Sequence, residues 1–240
     1  MGKGWKNPIK AANAAKKGLE FSKLAKEIQV AAKLGGPDPD MNSRLRLAID
    51  VAKARSCPKD TIEKAINKGA GLLEGEAQPE EVLYEGFGPA QIGILVECQT
   101  DNRARTATDI KVAFNKNNGM LADSGSVSWM FERVGLLEGF HTNKEVDIEE
   151  EAIEAGASEV EPLEMEAGLG ASFYTVPEDL DVVRKALIDR GWTIEVMELS
   201  YNVKTKTPDV TEEDMALLGE LLEKLDDNED SFRVYATVDF

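Results

Sequence analysis

Ten cations punctuate the first 46 residues of this chain: Lys3, Lys6, Lys10, Lys16, Lys17, Lys23, Lys26 and Lys33, then Arg44 and Arg46. Ammonium and guanidinium groups at this density suit one task, holding phosphate oxygens by charge and hydrogen bond. Residues 1–75 contain fifteen Lys/Arg against eight Asp/Glu, while the remainder contain thirteen against thirty-seven, and the whole carries −17. A positive region on an otherwise negative molecule draws a polyanion to one place and repels it elsewhere. Charge alone fits a solvated cationic face equally well.

A second candidate is Asp101, Asn102, Arg103 and Arg105, where a strand meets a helix. Free backbone amides and the helix dipole there can hold an anion. The simpler reading is that Asp101 or Asn102 caps the helix and the arginines pair with nearby acids; no glycine-rich phosphate loop accompanies them. Ten acids and no bases fill residues 145–166, and ten acids with one lysine fill 209–230. Such runs are read as solvated faces that discourage nucleic acid or receive a basic protein partner. His141 is the single histidine and has no serine or cysteine motif beside it, so nucleophilic catalysis is not expected. With Cys57 and Cys98 scattered, no zinc ligand set forms. No metal, cofactor or catalytic residue is assigned.

Hydrophobic residues make up 42% and charged residues 30% of the 240, a globular composition without a membrane-length apolar run. The opening Met-Gly-Lys-Gly-Trp-Lys has charge but no apolar segment after it, and both cysteines read as reduced thiols, so a cytoplasmic protein is expected. Asn7-Pro8 opens a short helix expected to end at Gly18. Phe21, Leu24, Ala25, Ile28, Ala31 and Ala32 form the apolar stripe of a second helix, which leaves Lys23, Lys26 and Lys33 facing solvent or a partner. Helices over 43–54 and from Pro58 to Gly69 complete a basic helical domain, residues 1–75. A linker follows over 70–81.

Strands are predicted at 82–85 and 92–99, a helix after Thr100-Asp101-Asn102, and a half-buried strand at 126–131, where Val127, Trp129 and Phe131 alternate. From 135 to 201 the order strand, helix, strand, strand, helix, strand is the split βαβ, ferredoxin-like arrangement. A helix from Thr211 and a strand over 232–238 lack local partners and are assigned to the domain begun at Val82. The middle domain is therefore 82–134 with 202–240, and 135–201 is an insertion. The fold class is α+β: a helical domain and two ferredoxin-like α/β domains, one inserted in the other.

Leu34-Gly35-Gly36, Asp38-Pro39, Asn42, Arg44-Leu45-Arg46, Tyr84-Glu85-Gly86-Phe87-Gly88-Pro89, Thr100-Asp101-Asn102-Arg103 and Gly125-Ser126-Val127 occur in that order. Together they resemble the YebC/PmpR family of bacterial regulatory proteins, which includes the mitochondrial translational activator of cytochrome oxidase. The resemblance covers nearly the whole chain and implies three domains and a DNA-binding transcriptional regulator. It equally admits a ribosome-associated factor that contacts ribosomal RNA and relieves stalling at proline-rich stretches. Where members carry several arginines and a further histidine in the first helix, this chain has mostly lysines, which keep charge but lose bidentate recognition.

The expected function is a non-enzymatic nucleic-acid-binding regulator that docks its basic helices on a phosphate backbone, with no membrane partner. A protein-interaction module working through the acidic domains is the alternative from another class. Reversing Lys23, Lys26 and Lys33 together is expected to abolish binding and leave the circular dichroism unchanged.

Overall fold

A computed structural model describes residues 8–73 and 77–238, with side chains from Lys17 onward. The expectations placed on Lys3 and Lys6, and on the side chains of Lys10 and Lys16, fall outside it. Three helices precede the first strand: α1 (Pro8–Gly35), α2 (Ser43–Ala54) and α3 (Lys59–Gly69). The stop expected at Gly18 does not occur. One glycine inside a helix costs about 1 kcal/mol against alanine and does not end it unless the backbone turns left-handed. That turn comes at Gly36, with φ of 86°, whose N–H reaches the Ala32 carbonyl at 2.9 Å.

Asn42 then joins the first two helices. Its carboxamide oxygen accepts from Leu45 N–H at 3.1 Å as the N-cap of α2, and its amide nitrogen donates to the carbonyls of Ala31 and Gly36. Ile28, Ala31, Ala32, Leu45, Ile49 and Ile62 form the buried core between the helices. Where α1 and α3 cross, Gly69 lets backbone meet backbone, since a Cβ there would stand 2.1 Å from the Gln29 carbonyl oxygen.

The middle domain is built from β1 (Glu80–Phe87), β2 (Gly93–Thr100), α4 (Arg103–Lys116) and β3 (Met120–Ala122), completed by α7 (Glu212–Asp226) and β8 (Ser231–Ala236). Its antiparallel sheet runs β3-β1-β2-β8, so the β1–β2 hairpin sits at the centre and the late strand β8 closes one edge. Ile94, Val96 and Cys98 alternate onto one face, where Ile110 and Phe114 of α4 and Leu218, Leu221 and Leu225 of α7 cover them. Thr211 and Asp214 form a reciprocal capping box at the start of α7.

The strand expected over 126–131 is not present. Ser128–Met130 is a 3₁₀ turn, strand β4 begins only at Phe131, and Trp129 is 61% exposed. The cause is Glu85, a buried carboxylate on β1. It accepts the N–H groups of Gly125, Val127 and Ser128 at 2.7, 2.6 and 2.8 Å, which removes the donors a strand ladder would need. Burial pushes the Glu85 carboxyl up, but those three amides outweigh it and hold the group below its ordinary value.

The chain divides into two compact units, one spanning Phe131–Thr205 and the other made of the segments on either side. The inner unit contains β4 (Phe131–His141), α5 (Ile148–Ala155), β5 (Glu159–Leu163), β6 (Leu169–Thr175), α6 (Leu180–Asp189) and β7 (Thr193–Val203). Its strands run β5-β6-β4-β7, all antiparallel, the order of the split βαβ unit. It is longer than the expected 135–201 because β4 and β7 stay paired out to Phe131 and Val203. Phe173, Leu137, Val183, Leu187 and Trp192 form its core beneath α5 and α6. No helix among the described residues is long and apolar enough to cross a membrane.

Two outcomes test this packing. Gly69→Ala forces α3 away from α1 and should cost about 1–3 kcal/mol, read as a lower urea midpoint. Glu85→Gln leaves one of its amides facing a donor and should cost about 3 kcal/mol. Because the Glu85 carboxyl is lowered by folding, its contribution is complete above the ordinary glutamate value and fades as pH falls through the folded one. The wild type should therefore lose stability below about pH 4.3, and the glutamine variant should lose less over the same range.

Candidate nucleic-acid interface

The apolar stripe of α1 faces α2 and α3 as its spacing requires, with Phe21, Leu24 and Ala25 packed on the helical core. Of the lysines beside that stripe, Lys23 and Lys26 are largely covered and Lys33 is exposed. Lys23 Nζ lies 2.9 Å from Asp226 Oδ1 and 2.6 Å from the Asp226 carbonyl oxygen. Lys26 Nζ donates to the Glu229 carbonyl at 2.8 Å and forms a short ion pair with the Asp230 carboxylate. Lys33 donates to the Pro79 carbonyl at 2.9 Å.

The two arginines are also engaged. Arg44 grips Glu27 with two nitrogens, at 2.8 and 3.1 Å, and reaches Glu81 at 2.8 Å. Burial would lower its pKa, yet the hydrogen bonds and charges of those two glutamates hold it above the usual guanidinium value. Arg46 pairs with Asp40 at 2.8 Å near the surface. Lys17 rests over the Phe21 ring at 5.5 Å. Among the described residues of the helical region, exposed Lys17 and Lys64 are the cations without an acidic or carbonyl partner.

The expectation that Lys23 and Lys26 face outward is thus corrected, whereas Lys33 is exposed as expected. A helical wheel separates apolar from polar faces, but it cannot distinguish water from a carboxylate some 200 residues downstream. Reversing Lys23 and Lys26 would set new carboxylates against Asp226 and Asp230, so the fold would not be left untouched as the sequence suggested.

The second candidate closes on the same turn. Asn102 caps α4 by accepting Arg105 N–H at 3.1 Å, and Asp101 stands 3.6 Å from Lys68 and 3.7 Å from Arg105. Arg103 is exposed, and its carbonyl accepts the Tyr84 hydroxyl at 3.3 Å. Arg105 already holds an anion, but the anion is the chain's own. It donates to both oxygens of Asp230, at 3.1 and 2.9 Å, and lies 3.3 Å from Glu229. The hydrogen bond and charge of Asp230 raise the Arg105 pKa.

Asp230, 1% exposed, is the centre of this cluster, with Lys26 and Arg105 joined by the Thr106 hydroxyl at 2.7 Å. Burial alone would push its carboxyl up, and the bonds from Lys26, Thr106 and Arg105 bring it below the ordinary aspartate value. Beside it lies a cleft of about 270 Å³ lined by Lys26, Gln29, Lys68, Asp101, Arg105 and Glu229. Sequence reasoning missed Asp226, Glu229 and Asp230 because they belong to a run whose density reads as a solvated surface.

The remaining reactive side chains are occupied structurally. His141 Nδ1 accepts the Asn143 N–H at 3.1 Å, and its ring lies 5.6 Å from that of Trp192. Burial pushes the Cys98 thiol up to about 12, which leaves it protonated at neutral pH.

Comparison with known proteins agrees with the motif order. The TACO1/YebC N-terminal domain matches residues 5–72, and the TACO1/YebC second and third domain matches residues 79–238. A protein named probable transcriptional regulatory protein in Bdellovibrio bacteriovorus is 53% identical over 239 residues, covering 99% of this chain and 100% of its own length. Its namesake in Pseudomonas syringae pv. tomato is 45% identical over 235 residues, 98% of each chain. The crystal structure of a conserved hypothetical protein from Aquifex aeolicus matches with a TM-score of 0.82 and 41% identity, over 92% of this chain and 90% of its own. Motif order, a helical region followed along the chain by two antiparallel sheets, and relatedness along almost every residue agree: the chain belongs to the TACO1/YebC family.

Proposed function

We propose that this protein is a non-enzymatic, cytoplasmic regulator of gene expression that binds duplex DNA, and that its first phosphate contacts are made by Lys3, Lys6, Lys10, Lys16 and Lys17. The observation that carries the reading is the distribution of acids. Residues 1–19 contain those five lysines and no Asp or Glu, whereas the cations that follow are largely matched by internal carboxylates or carbonyls. The acidic remainder repels a polyanion, so contact concentrates at the amino-terminal segment. The names of the relatives support a regulatory role. The structural engagement of His141 and the protonated, buried Cys98 support one without nucleophilic catalysis.

Lysine supplies charge without bidentate base recognition, so this contact is electrostatic and steep in salt. If all five lysines release counterions, affinity for a labelled duplex should fall about 500-fold between roughly 50 and 200 mM salt. Changing Lys10, Lys16 and Lys17 to Glu should weaken binding by at least about tenfold and reduce the salt slope by about three. Fluorescence anisotropy of the duplex reads both, and a variant that binds like the wild type would sink the proposal. Ribosome co-sedimentation at the same salt supplies the other arm. Retention on ribosomes without DNA binding would replace duplex DNA by ribosomal RNA as the ligand, and retention on neither would leave a protein-interaction module.

A further inference from the structure

Between the helical bundle and the middle domain lies a joint made of charge. The apolar cores on its two sides are separate clusters with no shared member. Lys23 with Asp226, Lys26 with Glu229 and Asp230, and Glu27 with Gln99 at 2.6 Å connect α1 to the other side. A joint of ion pairs holds only while its charges are not competed away, in contrast to one closed by apolar burial.

The acidic side of this joint imitates the ligand proposed above. Asp226, Glu229 and Asp230 follow one another around a single turn and offer oxygens to Lys23, Lys26 and Arg105. Lysine and arginine make the same charge-assisted hydrogen bonds to phosphate as to carboxylate, so a strand of phosphates can replace these acids bond for bond. The closed joint also carries a cost. Gln99 Oε1 and Ser231 Oγ are buried there without a hydrogen-bond partner, each worth about 1–3 kcal/mol. Gln99 donates its N–H to the Asp230 carbonyl, and Ser231 is the next residue after Asp230, so both orphans sit against the acidic turn.

We propose that the 226–230 turn is an autoinhibitory plug. It occupies, on Lys23, Lys26 and Arg105, a second phosphate-binding surface that duplex DNA takes over by displacing the turn. This inference rests on the nucleic-acid reading and adds a regulated site to it. The amino-terminal lysines capture the duplex, its local phosphate concentration rises, and the turn gives way.

The test uses the full chain. Asp226 and Glu229 have side chains 68% and 58% exposed, so Asp226→Asn with Glu229→Gln weakens the plug while buried Asp230 stays intact. Glu149→Gln with Glu150→Gln, on α5, deletes the same charge elsewhere. Duplex affinity at near-physiological salt should rise about tenfold in the plug variant and less than about twofold in the control. Lys23→Gln should have little effect in the wild type yet cancel the gain in the plug variant. Adding duplex to the wild type should speed amide exchange across residues 226–231. Equal gains in both double variants, or the same loss from Lys23→Gln in both backgrounds, would overturn the plug. Duplex bound equally by wild type and plug variant overturns the plug alone, whereas failure of both to bind overturns the nucleic-acid reading and the plug together.

Discussion

A carboxylate removed from water remains ionised only if the protein supplies the bonds that water no longer makes. Asp230, just before β8, meets that condition with Lys26 of α1 and Arg105 and Thr106 of α4, so a single side chain ties three elements of one unit together. Loss of both cations would leave the buried Asp230 charge uncompensated, a far larger penalty than the pairs' net contribution. The placement of the bundle on the middle domain is thus tied by charge, between two apolar cores that share no member.

The same pairing revises what the charge asymmetry of the chain means. Fifteen bases against eight acids in residues 1–75 suggest an open cationic surface. In the folded molecule three of those bases, Arg44, Lys23 and Lys26, are held by carboxylates from β1 and from the α7–β8 turn. Net charge says how a molecule behaves at a distance, but only the pairing of individual groups says which cations a phosphate can reach. The acid-free segment ahead of Glu20 and the engaged lysines behind it are therefore electrostatically different regions, although their composition looks continuous.

Local rules were readable wherever a residue acts on its neighbours. The caps at Asn102 and Thr211, the apolar spacing of α2, α3 and α7, and the alternating order of the inserted domain all follow from contacts within a few residues. Misreadings arose where a distant group overrode the pattern. Residues 126–131 alternate like a strand, yet Glu85 from β1 claims their amides. Lys23 and Lys26 sit on a polar helical face, yet their partners lie 203 and 204 residues along the chain. Gly18 looked like a terminator because glycine is common at helix ends, whereas termination requires the left-handed backbone found at Gly36.

Strand β8 and the acids before it come after the whole of the inserted unit in chain order. During synthesis the bundle and the β1–β2 hairpin are complete long before residues 226–236 exist, and at about 5–20 residues per second the delay from the end of α4 is roughly ten seconds. Throughout that interval Lys23, Lys26 and Arg105 have no Asp230 to hold, and Ile94 and Val96 lack the cover of α7. For that interval these three cations are open to phosphate while the chain is still attached to the RNA-rich machine that makes it.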